Sequence, residues 1–324
     1  MNVPRALTIL LALAIGIAFA IGTAGASGYA ERFDTAWRLV DERYWDLSSL
    51  DVDWDEARER YGPQASSAPD DAAFYAVLEA MYAEIGDDHS VFVPPERVAE
   101  IRAAYGDLPC LGVFAQGAPA AAAPPVALPE QLEERGPVAF ALLEHGIGYV
   151  RIDDLVRGGT AEGVRGAVTQ LTRDGAVAFV LDLRGNPGGR LVTMMQVAGV
   201  FTQGFLWRTV TTWSFPIPYP AIGIPATDAP LAILVDGDVH SAGEGLAGAL
   251  QHRGRAVVVG STTAGNVEAV MPFCLRDGSQ AWIATGVLAP IGGPTWAGQG
   301  VVPNVATSDE DALGAAVKAL RTSP

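Results

Sequence analysis

Between residues 147 and 320, apolar runs of strand length alternate with segments of helical period, and that alternation restricts this part of the chain to an α/β fold. Strands are expected at 147–152, 177–183, 206–213, 231–235, 256–259, 267–273 and 281–287. Helices are expected near 160–172 and 191–201, from Ser241 onward, and at 310–320. Ahead of this region Phe33, Trp37, Val40 and Tyr44 recur at helical intervals, as do Phe74, Leu78, Met81 and Ile85, with Gly86 placed where a helix would stop. That pattern describes a small helical N-terminal unit over residues 27–107. A chain of 324 residues with 49% hydrophobic content has material for one large core and a smaller one.

One strand-to-helix junction carries chemistry. Residues 239–250 read V-H-S-A-G-E-G-L-A-G-A-L, so Ser241 opens a helix directly behind the apolar strand at 231–235. Free N–H groups at a helix start can hold an oxyanion on the atom that such a serine attacks. Ser241 and Glu244 also fit the S-x-x-E capping box that begins many helices without any catalytic role. A second junction, F-V-L-D-L-R-G-N-P-G-G at 179–189, runs a buried strand into a glycine pair. Paired glycines let the main chain approach a ligand closely and present its N–H groups.

Together these segments resemble the tail-specific, or C-terminal processing, serine peptidases and their tricorn-like relatives. In that family a strand ending in L-D-L-R-x-N-P-G-G precedes S-A-S-E-x-x-A-G-A-L; here Gly243 stands where the second serine usually does. The resemblance implies a crotonase-like ββα spiral core over residues 139–324, with neither metal nor organic cofactor. It implies hydrolysis of peptide bonds in unstructured or tail segments of a peptide or unfolded protein substrate, through Ser241. The oxyanion would sit on the backbone N–H of Ala242 and that of Gly188 or Gly189. A catalytically degenerate member that binds a peptide or apolar ligand is the alternative reading.

A serine hydroxyl needs a base within hydrogen-bond reach. In the processing branch this is a lysine twenty-five residues beyond the serine, which here is Asn266; the one lysine of the chain is Lys318, on the terminal helix. A Ser–Lys dyad at that place is therefore excluded. The loop G-D-D-H-S at 86–90 matches the family's G-D-x-H-[ST], whose histidine is the general base in the tricorn-like branch, and this implies His89. Of the other histidines, His240 adjoins the nucleophile and reads as local structure, His145 precedes a strand, and His252 ends the Ser241 helix, where a cation suits the dipole. The third group is open. The W-E-x-x-G segment that supplies a glutamate in the tricorn-like branch reads Trp296-Ala297-Gly298 here, which leaves Glu268, Asp87 and Asp88 as candidates.

The remaining sequence sets the surroundings. With 37 carboxylates against 21 basic residues, a net charge of −16 argues against a surface for nucleic acid or anionic lipid. An apolar run at 6–21 behind Arg5, followed by Thr23-Ala24-Gly25-Ala26, reads as a signal peptide of residues 1–26 cleaved near Ser27, or else as an uncleaved membrane anchor. Export to the periplasm, cell surface or medium is the expectation. Residues 108–138, centred on G-A-P-A-A-A-A-P-P, read as a linker too short for the PDZ domain that many members of the resembling family carry there. Cys110 and Cys274 are either one bridge or two thiols, and no Cys/His cluster has metal-ligand spacing.

Overall fold

The computed structural model describes residues 28–87, 89–105, 128–129, 131–212 and 214–322. The export segment, most of the expected linker, Cys110, Asp88 and Trp213 lie outside the described residues. Four helices come first: α1 (28–43), α2 (Trp54–Ser66), α3 (Asp71–Ala83) and α4 (Pro95–Tyr105), with the short strand β1 (Val91–Val93) before the last. Then follow β2 (Glu133–Arg135), β3 (Val138–Leu143), β4 (Ile147–Ile152), α5 (Thr160–Arg173), β5 (Ala178–Asp182), α6 (Leu191–Phe201), β6 (Gly204–Val210) and β7 (Pro218–Ala221). The chain continues through β8 (Leu231–Val235), α7 (Ala242–His252), β9 (Val257–Gly260), β10 (Glu268–Cys274), β11 (Gln280–Pro290), β12 (Val305–Ala306) and α8 (Ala312–Thr322). The α/β alternation read from the sequence is present.

Among the described residues the strands form two sheets. The larger has the order β12-β9-β8-β5-β4-β3-β2, parallel from β12 to β4 and antiparallel beyond. Its central strands β5 and β8 are buried along their whole length, as parallel strands covered on both faces must be. Alternate residues serve the two sides. Phe179, Leu181, Ile233 and Val235 join the core made with α5, α6 and α7, while Ala178, Val180, Ala232 and Leu234 meet Ala312, Ala316 and Leu320 of α8. Because β5 and β8 are adjacent and parallel, the turns that leave their carboxyl ends emerge side by side. Those turns contain Gly188-Gly189 and Ser241.

The smaller sheet is organised by β11, eleven residues long and buried throughout. It pairs with β10 along one edge, and along the other with β1 at residues 280–282 and with β6 at 287–290. The helices α1 to α3 cover it: Phe33, Trp37, Val40 and Tyr44 pack with Phe74, Leu78, Met81 and Ile85, and also with Phe273, Ala281, Ile283 and Ala284 of the sheet. The helical unit shares its core with two late strands, and so the loop between α3 and β1 is held against β11.

The structure departs from the local readings: β2, β3, β7 and β12 lie outside the strands expected from the sequence. Strand β2 lies inside the stretch expected as linker, where Glu133–Arg135 pairs antiparallel with Phe140–Val138. Strand β6 stops at Val210, short of the expected end, because the Thr212 N–H and hydroxyl both turn to the carbonyl of Trp45, at 3.0 and 2.8 Å. Cys274 is disulfide-bonded.

Candidate active site

Ser241 stands at the N-cap of α7 with φ 53° and ψ −119°, a backbone setting that side-chain-bearing residues rarely adopt. The turn is imposed from three sides. Its N–H donates to the carbonyl of Asn266 at 2.8 Å and to Glu244 Oε2 at 3.1 Å. Gly188 approaches so closely that a Cβ there would lie 2.7 Å from the serine Cβ, at a φ of +91°. Asn186 fixes the glycine turn: its carbonyl accepts from His240 N–H at 2.9 Å, its Nδ2 donates to the Ile152 carbonyl at 2.8 Å, and its Oδ1 accepts from Gly188 N–H at 2.8 Å. The serine is buried, and its Oγ makes no hydrogen bond. The hydroxyl is thus not spent on capping the helix, although its residue type and Glu244 fit the box.

Glu244 does more than close a cap. Its fully buried carboxylate accepts from Thr263 Oγ1 at 2.5 Å, Gly265 N–H at 2.6 Å, Asn266 N–H at 2.8 Å and Ser241 N–H. Burial pushes this carboxyl above its ordinary range, against four donors that favour the charged form. The sequence signal S-x-x-E marked the residue, but its grip on the 263–266 loop was not legible because the partners lie about twenty positions on.

That loop leads to the second half of the site. Glu268 Oε2 lies 3.1 Å from His89 Nδ1, with the imidazole buried and the carboxylate nearly so. Residues 266–268 therefore touch both parts: the Asn266 carbonyl accepts from the serine N–H, and two residues on the Glu268 carboxylate lies against the imidazole. In extended chain that separation is about 7 Å. Of the candidate carboxylates among the described residues, Glu268 reaches the ring, whereas Asp87 binds the backbone N–H groups of His89 and Ser90 and the Ser90 hydroxyl. The Tyr44 hydroxyl also lies against Asp87; burial, then the charge of Asp87, push its ionisation upward, so it stays a donor.

The other sequence-predicted groups separate clearly. The N–H of Ala242 has no acceptor among the described residues, and neither has that of Gly189. Of the two glycines offered by the sequence, Gly188 donates its N–H to Asn186 Oδ1 at 2.8 Å. His240 points its Nδ1 to within 3.3 Å of Asn266 Nδ2, His252 Nε2 lies 3.1 Å from the Ile291 carbonyl, His145 is exposed in a turn, and Lys318 is exposed on α8. Trp296 is packed on the Cα of Gly248 in α7, and the residues after it back the site, Gly298 N–H donating to Gly265 carbonyl at 2.8 Å. The motif residues Asp182 and Arg184 are a buried pair, 2.6 Å apart, that also engages Tyr149 and the Asp309 carbonyl. No group of three or more potential metal ligands occurs among the described residues.

A hydroxyl free of bonds at a strained helix start, orphan N–H groups nearby, and a carboxylate at the start of β10 against the imidazole of the α3–β1 loop have the composition of a serine hydrolase site. The model of peptidase family S41 matches residues 146–307, half of the chain, and that of the tricorn protease C1 domain matches residues 27–83. The chain belongs to peptidase family S41. It is 40% identical over 134 residues to a carboxyl-terminal-processing protease of Picosynechococcus sp., covering 41% of this chain and 32% of the relative. With the protein of the same name from Synechocystis sp. it shares 36% identity over 157 residues, 47% of this chain and 36% of the relative. The chain thus spans about a third of the length of these curated relatives. Among solved structures, the photosystem II D1 C-terminal processing protease superposes with a TM-score of 0.65 at 23% identity, over 87% of this chain and 94% of that one. Mature CPAF superposes at 0.61 and 12% identity, over 92% and 96%.

Proposed function

We propose that this protein is a serine peptidase that cleaves peptide bonds in unstructured or tail segments, with Ser241 as nucleophile, His89 as general base and Glu268 as the group that orients the imidazole. The observation that carries this reading is the 3.1 Å contact of Glu268 with His89 Nδ1, on the same short segment whose Asn266 carbonyl fixes the serine N–H. A carboxylate on Nδ1 selects the tautomer that presents Nε2 as the proton acceptor and stabilises the imidazolium that forms.

In the reaction the Ser241 oxygen attacks the substrate carbonyl carbon while its proton passes to His89 Nε2. The resulting oxyanion is held by the N–H groups of Ala242 and Gly189. The C–N bond breaks as the imidazolium gives its proton to the leaving amine, and water, deprotonated by the same imidazole, then releases the acid from the serine. An extended substrate is accommodated beside β10, which among the described residues has β11 as its one strand neighbour and begins at Glu268. The relatives' names, carboxyl-terminal-processing proteases, support tail segments as substrates. The crotonase-like description of the core, a small N-terminal helical domain over 27–107 and an exported location belong to the same reading.

The test is Ser241→Ala in the full chain against unstructured peptides, with a fluorophosphonate probe as a second readout. Loss of cleavage and of labelling is expected. Cleavage by Ser241→Ala at the parental rate overturns the proposal, and a folded parent protein that the probe fails to label favours a peptide-binding protein without catalysis.

A further inference from the structure

The assignment of His89 as base leaves open how a loop side chain is placed to the tolerance that proton transfer demands, because loops are the more mobile parts of a fold. The answer lies in an interruption of the smaller sheet. Along one edge of β11, strand β1 pairs as far as Trp282 and β6 begins again at Val287, so no strand serves the peptide groups of Ala284. Buried main-chain groups in such a gap need other partners. The Ala284 carbonyl accepts from Trp45 N–H at 2.9 Å. Its N–H donates to the Ser90 hydroxyl oxygen at 3.0 Å, and that hydroxyl donates in turn to Asp87 Oδ2 at 2.9 Å.

Asp87 Oδ1 meanwhile accepts from His89 N–H at 2.8 Å and from Ser90 N–H. The loop is thus clipped to the middle strand of the sheet next to the histidine. On the opposite edge of β11, Val270 stands in register with Ala284, and Glu268 lies two residues away on the same strand. One strand therefore carries the backbone anchor of His89 on one side and its carboxylate partner on the other.

We propose that Ser90 and Asp87 are positioning residues for the reaction: their shared hydrogen bonds dock the His89 loop onto Ala284 and so set the distance from the imidazole to Glu268. The proposal rests on the reading of His89 as general base. Neither residue touches substrate. Alanine at position 90 removes both the donor and the acceptor, whereas threonine keeps the hydroxyl.

The test measures kcat, KM and the pH profile of peptide cleavage for Ser90→Ala, Ser90→Thr, Asp87→Asn and His89→Ala in the full chain, with urea unfolding as a check on folding. Ser90→Ala is expected to lower kcat about 10- to 100-fold with KM within about twofold of the parent. Its acid limb is expected to move to lower pH, because an imidazolium that loses its carboxylate contact gives up its proton more easily. Ser90→Thr restores most of kcat and the original acid limb, and Asp87→Asn resembles Ser90→Ala. If His89→Ala is inactive while Ser90→Ala keeps the parental kcat and acid limb, the positioning role is overturned alone. A fall in Ser90→Ala that only tracks its folded fraction, with the acid limb unmoved, also overturns it. Full activity in His89→Ala overturns the base assignment and this proposal with it.

Discussion

At Ser241 a positive φ of 53° is held in place by a glycine, a carbonyl and a buried carboxylate, so strain is localised where the proposed nucleophile is presented. Gly188→Ala places a methyl 2.7 Å from the serine Cβ at a φ that disfavours alanine. We expect peptide cleavage to fall by at least about 100-fold, since small displacements at a reacting group cost this much. Unfolding should also show a loss of about 1–3 kcal/mol. Glu268→Gln keeps the shape beside His89 but not the charge that stabilises the imidazolium; kcat should drop roughly 10²- to 10⁴-fold with little change in urea midpoint. Glu244→Gln differs from it. An amide offers one acceptor oxygen to four donors, and the buried N–H groups left unpaired should destabilise the fold by about 2–4 kcal/mol in denaturant titration.

At the scale of elements, an ionic contact between α1 and the smaller sheet has a pH behaviour of definite sign. Asp277, in the β10–β11 turn, accepts from Ser279 N–H and Oγ at 3.0 and 2.6 Å and from Arg32 of α1 at 2.5 Å. Burial alone would raise its carboxyl; the bonds from Ser279 and Arg32 outweigh that and hold it below the ordinary carboxylate range. A carboxyl depressed in the folded state contributes stability that is present above its unfolded value and is lost as pH falls through the folded one. Urea unfolding of the parent should therefore lose an increment of stability in the acid range that Asp277→Asn lacks. Elements were largely legible: the strands β4, β5, β8 and β11 and the helices α5 to α8 follow from apolar runs and periodicity. The strands β2, β3, β7 and β12 were not: β2, β7 and β12 are two to four residues long, too short for any period to register, and β3 follows directly on the alanine- and proline-rich stretch read as linker. The end of β6 also escaped, because the carbonyl of Trp45 that draws the chain away is remote in sequence.

For the whole molecule, the net charge of −16 makes peptide encounter charge-dependent. Basic unstructured peptides should be cleaved with higher kcat/KM than acidic ones of matched length at low salt, and the difference should shrink once the Debye length falls below about 10 Å near 0.1 M salt. The serine, the glycine turn, the histidine loop and the want of a nearby lysine could all be read along the chain, since each is a local matter of residue type and spacing. That Glu268 meets the imidazole could not, nor could it be read which of Gly188 and Gly189 has its N–H already bonded. Asp87 and Gly188 are claimed by neighbours in space, the first by the loop backbone and the second by Asn186 Oδ1. Local composition determined which groups exist and which elements carry them. Only the tertiary structure decided which are engaged and which are left over, because a hydrogen bond depends on where two atoms meet after strands distant in the chain have paired.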